Sequence, residues 1–183
     1  MPSTNQNIEQ LLVLCSSGNQ RAQLEIYNRY YKAMYNTSYR IVNDTYKAED
    51  IMQESFLTAF EKLESLKDKT VFGGWLKRIV VNNSIAAYNK KAKEKTVSLD
   101  TVLYKVEDDN GLSENDAKSE KVKHILKMIK QLKSNYSLGL TLHLIEGYDY
   151  EEISEIMDMS YANCRTMISR AKDSLRQKLN INH

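Results

Sequence analysis

The sequence predicts an all-α protein of two small helical domains joined by a flexible acidic linker, and three observations carry that reading. A single proline and six glycines occur in 183 residues, and no run of alternating apolar residues bounded by turn signals suggests a strand. Apolar residues recur instead at helical spacing through most of the chain. Periodicity is lost over residues 96–120, and within 107–120 Glu107, Asp108, Asp109, Glu114, Asp116 and Glu120 stand against the lone Lys118. Such a composition cannot bury a core and reads as a linker. The boundaries drawn from these shifts are a domain over residues 1–95, the linker over 96–120, and a second domain over 121–183.

In the first domain, Ile8 to Cys15 form a short apolar helix pattern ending near Ser16, Ser17 and Gly18. Asn19 or Gln20 then opens a long helix in which Leu24, Tyr27, Tyr31, Met34, Tyr35, Ser38 and Ile41 or Val42 follow one stripe, with the tyrosines read as half-buried packing residues. Asn43 and Asp44 break it. From Lys47 to Leu66, Met52, Phe56, Ala59, Phe60 and Leu63 project to one side, while Asp50, Gln53, Glu54, Leu57 and Glu61 project to the other. An acidic outer face with a leucine at its centre suits docking on a basic partner surface. After a loop at Lys67 to Thr70, Phe72, Trp75, Ile79 and Asn82 share one face of the next helix, and Leu76, Val80 and Ala87 another. Two apolar stripes imply a mostly buried helix, with Trp75 first of all a core residue. Lys77, Arg78, Lys90, Lys91, Lys93 and Lys95 against Glu94 make this helix basic, and cations beside aromatic and amide groups suit single-stranded DNA, whose bases leave the stack.

In the second domain, Lys121 to Leu132 carry Val122, Ile125, Leu126 and Ile129 at helical spacing, and Tyr136 to Ile145 supply a further apolar helix. A helical hairpin follows. Ile153, Ile156 and Met157 lie behind an acidic opening turn that suits the positive end of the helix dipole. Asp158, Met159 and Ser160 interrupt the pattern, and Ser160 is placed to cap the next helix. There Cys164, Met167, Ile168, Ala171 and Leu175 form one stripe, with Arg165, Arg170, Lys172, Arg176 and Lys178 mostly off it. A core-packed helix with a basic outer surface fits the major groove, where cations neutralise phosphates and the first turns reach base edges.

Composition excludes several other classes. The net charge is only +2, so nucleic-acid affinity must come from where the charges sit. Cys15 and Cys164 lie in no CxxC or Cys/His cluster, so no zinc site or disulfide framework is indicated, and both read as small buried hydrophobes. His124, His143 and His183 are scattered, and no phosphate-cradling glycine loop or nucleophile beside a base occurs. Neither an enzyme nor a cofactor or metal site is expected. No apolar run approaches about 20 residues, so a cytoplasmic chain without membrane insertion is expected.

The segment LIEGYDYEEISEIMDMSYANCRTMISRAKDSLRQKL resembles the promoter-reading C-terminal domain of extracytoplasmic-function (ECF) sigma factors, a group of the sigma-70 family. Glu146, Gly147, Tyr150, Glu151, Glu152, Ile153, Ser160, Ser169, Arg170, Ala171, Leu175 and Arg176 match the pattern usual there. AEDIMQESFLTAF is similar to that family's AEDxxQExFLxAW, and FGGWLKRIVVNNS to its FxxWLxRIxxNxx. The likeness covers about residues 20–95 and 122–179. Two departures stand out: AAYNKKAKEK replaces an Arg-rich run, and Leu132-Lys133-Ser134-Asn135 replaces the common Leu-Pro. Lysine holds phosphates without forking onto a guanine edge, so contacts by the first of these segments are expected to be non-specific.

The resemblance implies that Asp50, Gln53, Glu54 and Leu57 dock on the clamp helices of the beta-prime subunit of bacterial RNA polymerase core. It implies that Lys67, Phe72, Trp75, Arg78, Asn82, Asn83, Lys90 and Lys91 hold the melted minus-10 strand. On the last helix, Tyr161, Asn163, Arg165 and Thr166, following the N-cap Ser160, would read minus-35 bases, and Arg170 and Arg176 would hold phosphates. Promoter DNA, both duplex and melted strand, and an anti-sigma factor are the implied partners. Two alternatives remain open on the residues alone: a helix-turn-helix regulator of duplex DNA with an N-terminal partner-binding domain, and a helical adaptor. Only the sigma-factor reading requires the acidic docking helix and the basic aromatic helix together.

Overall fold

The computed structural model describes residues 7–97 and 116–181, and every regular element among them is helical. The chain clusters into two compact units, Met1–Glu94 and Lys95–His183. The helical, two-unit expectation holds. Residues 98–115, most of the predicted linker, lie outside the described residues.

The first unit contains α1 (Ile8–Ser16), α2 (Gln20–Val42), α3 (Thr45–Glu61) and all but the last turn of α4 (Phe72–Val97). Local side chains set the boundaries. Asn19 caps α2 by accepting from the Ala22 amide at 3.1 Å, and Asp44 caps α3 by accepting from the Lys47 amide at 3.0 Å. Between them Asn43 takes the left-handed conformation at φ 52°, which ends α2 and lets the chain reverse. α3 stops at Glu61, short of the predicted Leu66, and the chain tightens into a 3-10 turn over Leu63–Ser65 that keeps Leu63 buried.

The core of this unit brings Leu11, Leu12, Ile26, Met52, Phe56, Phe72, Leu76 and Val80 together. A fully buried aliphatic or aromatic side chain of this kind contributes about 1.5–3 kcal/mol. Half-buried tyrosines line α2 as expected: Tyr27 packs on Phe56 at 4.9 Å between centroids, and Tyr30 meets Phe72 edge-on at 5.5 Å. One expectation fails. Leu24 is 60% exposed, because the buried face of α2 opens with Ala22 and Ile26, and Leu24 points away from both.

Adjacent residues of α4 fasten it to two neighbours. Asn83 Nδ2 donates to Ser55 Oγ of α3 at 3.0 Å, and Ser84 Oγ is hydrogen-bonded to Ser38 Oγ of α2 at 2.8 Å. Buried polar groups left unpaired are costly, so these bonds fix how α4 is rotated about its axis.

The second unit contains α5 (Asp116–Lys130), α6 (Ser134–Leu140), α7 (Tyr150–Ile156) and α8 (Tyr161–Ile181). α5 begins before the predicted Lys121. The apolar helix read over Tyr136–Ile145 is α6 continued by a π-helical segment, Thr141–Ile145, where the Glu146 amide donates to Thr141 O at 3.0 Å. Gly147, at φ +80°, then turns the chain into α7. α7 starts with a capping box: Asp149 Oδ1 accepts from the Glu152 amide at 2.8 Å, and Glu152 Oε2 accepts from the Asp149 amide at 3.0 Å. Cys164, Met167, Ile168, Ala171 and Leu175 are all buried, as the spacing predicted. α6 and α8 approach so closely at Gly139 that a Cβ there would lie 2.7 Å from Met167 Cε and 2.9 Å from Ile168 Cδ1. Burial pushes the Cys15 thiol up to about 11 and raises that of Cys164, so both stay protonated at neutral pH.

Candidate functional site

Three surfaces gather the residues singled out from sequence. The first is the outward face of α3. Met52, Ser55, Phe56 and Ala59 are buried, which turns Asp50, Gln53 and Glu54 outward around Leu57, itself 64% exposed. Gln53 Nε2 reaches Glu49 Oε1 at 3.4 Å, so the acidic face is continuous along one edge. Tyr46, four residues before Asp50 on the same face, is 83% exposed and was missed by the sequence reading. Its place one turn ahead of Asp50 was the available signal.

The second surface is the exposed side of α4 with the turn before it. Lys67, Asn82 and Lys90 are exposed, whereas Trp75, Arg78, Asn83 and Lys91 are half-buried. Trp75, Arg78 and Asn82 share a face at helical spacing. In the turn, Asp68 accepts from both the amide and the hydroxyl of Thr70, chiefly the hydroxyl, and these bonds hold its carboxyl below the usual carboxylate range. Val71, exposed beside it, extends this face and was not anticipated.

Two expectations on α4 are corrected. Phe72 is 0% exposed, packed edge-on against Tyr30 and 6.0 Å from the Trp75 ring, so its side chain belongs to the core and is not available to DNA. Asn83 spends a donor on Ser55 and is better described as a fastening between helices.

The third surface is α8. Ser160 Oγ accepts from the Asn163 amide at 3.2 Å, as the cap reading required. Tyr161, Asn163, Arg165, Thr166, Arg170 and Arg176 are all exposed. Arg165, Thr166 and Arg170, with Ala162 and Ser169, which were not among the expected DNA contacts, line a shallow depression of about 490 Å³. Thr166 Oγ1 donates to Ala162 O at 3.0 Å. The Arg165 guanidinium stands 6.0 Å from the centroid of the Tyr161 ring. Arg176 Nη1 is 2.7 Å from Asp173 Oδ1, an exposed pair within α8 itself. On the inner side, Lys172 Nζ donates to Tyr150 Oη at 3.4 Å, and the Tyr150 ring packs on His143 at 4.9 Å, tying α8 to α7 and the π-helical segment.

Among the described residues no His, Cys, Asp and Glu cluster fit to hold a metal occurs, and no helix is long and apolar enough to cross a membrane.

Known protein families match both units of this chain. Sigma-70 region 2 matches residues 26–94, and Sigma-70 region 4 matches residues 123–175. The ECF RNA polymerase sigma factor SigM of Bacillus subtilis is 30% identical over 161 residues, covering 85% of this chain and 94% of the relative. The chain belongs to the ECF subfamily of the sigma-70 family. The sigma-H factor of Pseudomonas aeruginosa is 25% identical over 185 residues, covering 96% of this chain and 95% of that protein. Two solved structures share the fold at 19% identity. The sigma factor RpoE of Bartonella quintana, in complex with the anti-sigma factor NepR, gives a TM-score of 0.59 and covers 87% of this chain and 97% of its own. CnrH, in complex with the cytosolic domain of CnrY, gives 0.56 and covers 96% and 99%. In this ECF sigma factor, α3 and most of α2 and α4 fall in region 2 and most of α8 in region 4, so the acidic and the first basic surface belong to one region and the second basic surface to the other.

Proposed function

We propose that this ECF sigma factor docks on the clamp helices of the beta-prime subunit of RNA polymerase core through Asp50, Gln53, Glu54 and Leu57, with Tyr46 at the edge of the same face. It captures the melted minus-10 strand along α4 and the preceding turn, using Lys67, Trp75, Arg78, Asn82, Lys90 and Lys91. It reads the minus-35 duplex with Asn163, Arg165 and Thr166 in the first turns of α8, the helix that Tyr161 opens behind the cap Ser160. Arg170 and Arg176 hold phosphates. The protein works in the cytoplasm by binding alone and needs no cofactor. Residues 96–120 tether the two DNA-binding units, their acidic composition keeping them off the duplex.

One observation carries this reading: an acidic face with an exposed leucine on α3 lies in the same unit as a basic helix with a half-buried Trp on α4, and the two helices are bonded to each other. A duplex-binding regulator needs no such pair. An anti-sigma partner is part of the proposal, motivated by the complex in which RpoE was solved.

The test is whether the purified chain lets bare polymerase core start at a defined promoter in a single-round transcription assay. Initiation dependent on the added chain is expected. Binding to the promoter without initiation would overturn the proposal in favour of a regulator.

A further inference from the structure

We infer that Tyr161 is a positioning residue that sets base preference through Arg165, a deepening that rests on the reading of α8 as the duplex-reading helix. Tyr161 opens α8 and is 51% exposed, yet the guanidinium of Arg165, one turn later, stands 6.0 Å from its ring centroid. Four residues apart on a helix is the spacing at which one side chain lies over another.

Arg165 needs such support. A cation in the first turns faces the positive end of the helix dipole and gains nothing from it. Its nearest acid in sequence on α8 is Asp173, whose carboxylate is already paired with Arg176. A free arginine also carries large rotamer entropy, which a bidentate contact to a guanine edge must overcome. A cation–π contact with the Tyr161 ring meets both difficulties, since the negative face of the ring attracts the cation and narrows the rotamers it samples. The N–H edges remain free for hydrogen bonds in the plane.

Tyr161 then shapes specificity without touching a base, and its hydroxyl has no part in it. The ring is the active element, so Tyr161→Phe keeps the function and Tyr161→Leu, apolar but without the ring, loses it.

The experiment measures affinity of the full chain for a set of duplexes carrying every single-base change in the minus-35 element. The variants are Arg165→Ala, Tyr161→Phe, Tyr161→Leu and the double Tyr161→Leu/Arg165→Ala. Arg165→Ala is expected to relax the preference at one position. Tyr161→Leu should reduce the preference at that same position by about two- to five-fold, the range an exposed cation–ring contact supports. Tyr161→Phe should match the parent, and the double variant should match Arg165→Ala.

In the free protein, the ring-current shift of the Arg165 side-chain NMR signals should vanish in Tyr161→Leu and persist in Tyr161→Phe, a readout that helix stability alone does not move. The inference is overturned if Tyr161→Leu alters a different position, if it lowers affinity equally in the Arg165→Ala background, or if Tyr161→Phe behaves like Tyr161→Leu. It is overturned also if Arg165→Ala leaves every preference intact. The salt dependence of Arg176→Ala then tells whether the broader assignment of α8 falls with it: an unchanged slope means that it does.

Discussion

Asn82 and Asn83 are neighbours in α4 with opposite commitments. Asn82 is exposed on the face it shares with Trp75 and Arg78, whereas Asn83 donates to Ser55 Oγ at 3.0 Å. Asn82→Ala should impair promoter opening, read by permanganate reactivity of unpaired thymines, more than it weakens the closed complex. Asn83→Ala should cost about 1 kcal/mol of stability in a denaturant titration and leave opening near the parent's well below the unfolding midpoint. Equal loss of opening in both variants would refute this division. Nothing in the two letters separates the pair: the sequence places both on α4, and only the approach of Ser55, 28 residues earlier, decides which one is free. Phe72 makes the same point. An aromatic residue beside a basic helix fits a base-stacking role and a core role equally well, and its burial against Tyr30 depends on how α2 and α4 pack.

At the scale of the helix, the stripe Cys164, Met167, Ile168, Ala171 and Leu175 was fully legible because burial on one side of a helix imposes its period on the sequence. The π-helical turn at Thr141–Ile145 was not, since widening the ring by one residue leaves the apolar pattern almost unchanged. The exposed Leu24 shows a further limit: the period locates a stripe, but the packing partner fixes its centre. Pairing within the polar face of α8 was also out of view. Arg176 is held 2.7 Å from Asp173, so an acid on the same helix competes with DNA phosphate for this guanidinium. Asp173→Asn should therefore raise affinity for all minus-35 sequences alike and steepen the salt dependence by up to about one phosphate contact. Arg176→Ala should lower affinity uniformly and flatten it by about as much. Affinity measured at two salt concentrations distinguishes these outcomes, and a change in base preference in either variant would place Arg176 at a base edge instead.

At the scale of the whole chain, each unit carries its own buried cluster, and the proposed polymerase contact and the proposed duplex contact lie in different units. Two consequences follow for variants of the α3 face. Asp50 and Glu54 are exposed and make no contact with the buried side of their helix, so reversing their charge leaves the core of the first unit intact. Their negative charge acts at the encounter with a basic partner, where complementarity raises the association rate and its loss is felt most at low salt. Asp50→Lys and Glu54→Lys should each weaken binding to polymerase core, and the double variant should weaken it further, with an association rate that no longer falls as salt is added. Affinity of the same variants for a minus-35 duplex in the absence of core should be unchanged, since Arg165, Arg170 and Arg176 are untouched. Combining Glu54→Lys with Arg176→Ala should give losses of core affinity and of duplex affinity each equal to that of the single variant, as expected for residues that share no partner. Core affinity equal to the parent's in Asp50→Lys/Glu54→Lys, with thermal unfolding also unchanged, would mean that polymerase docks elsewhere on the chain.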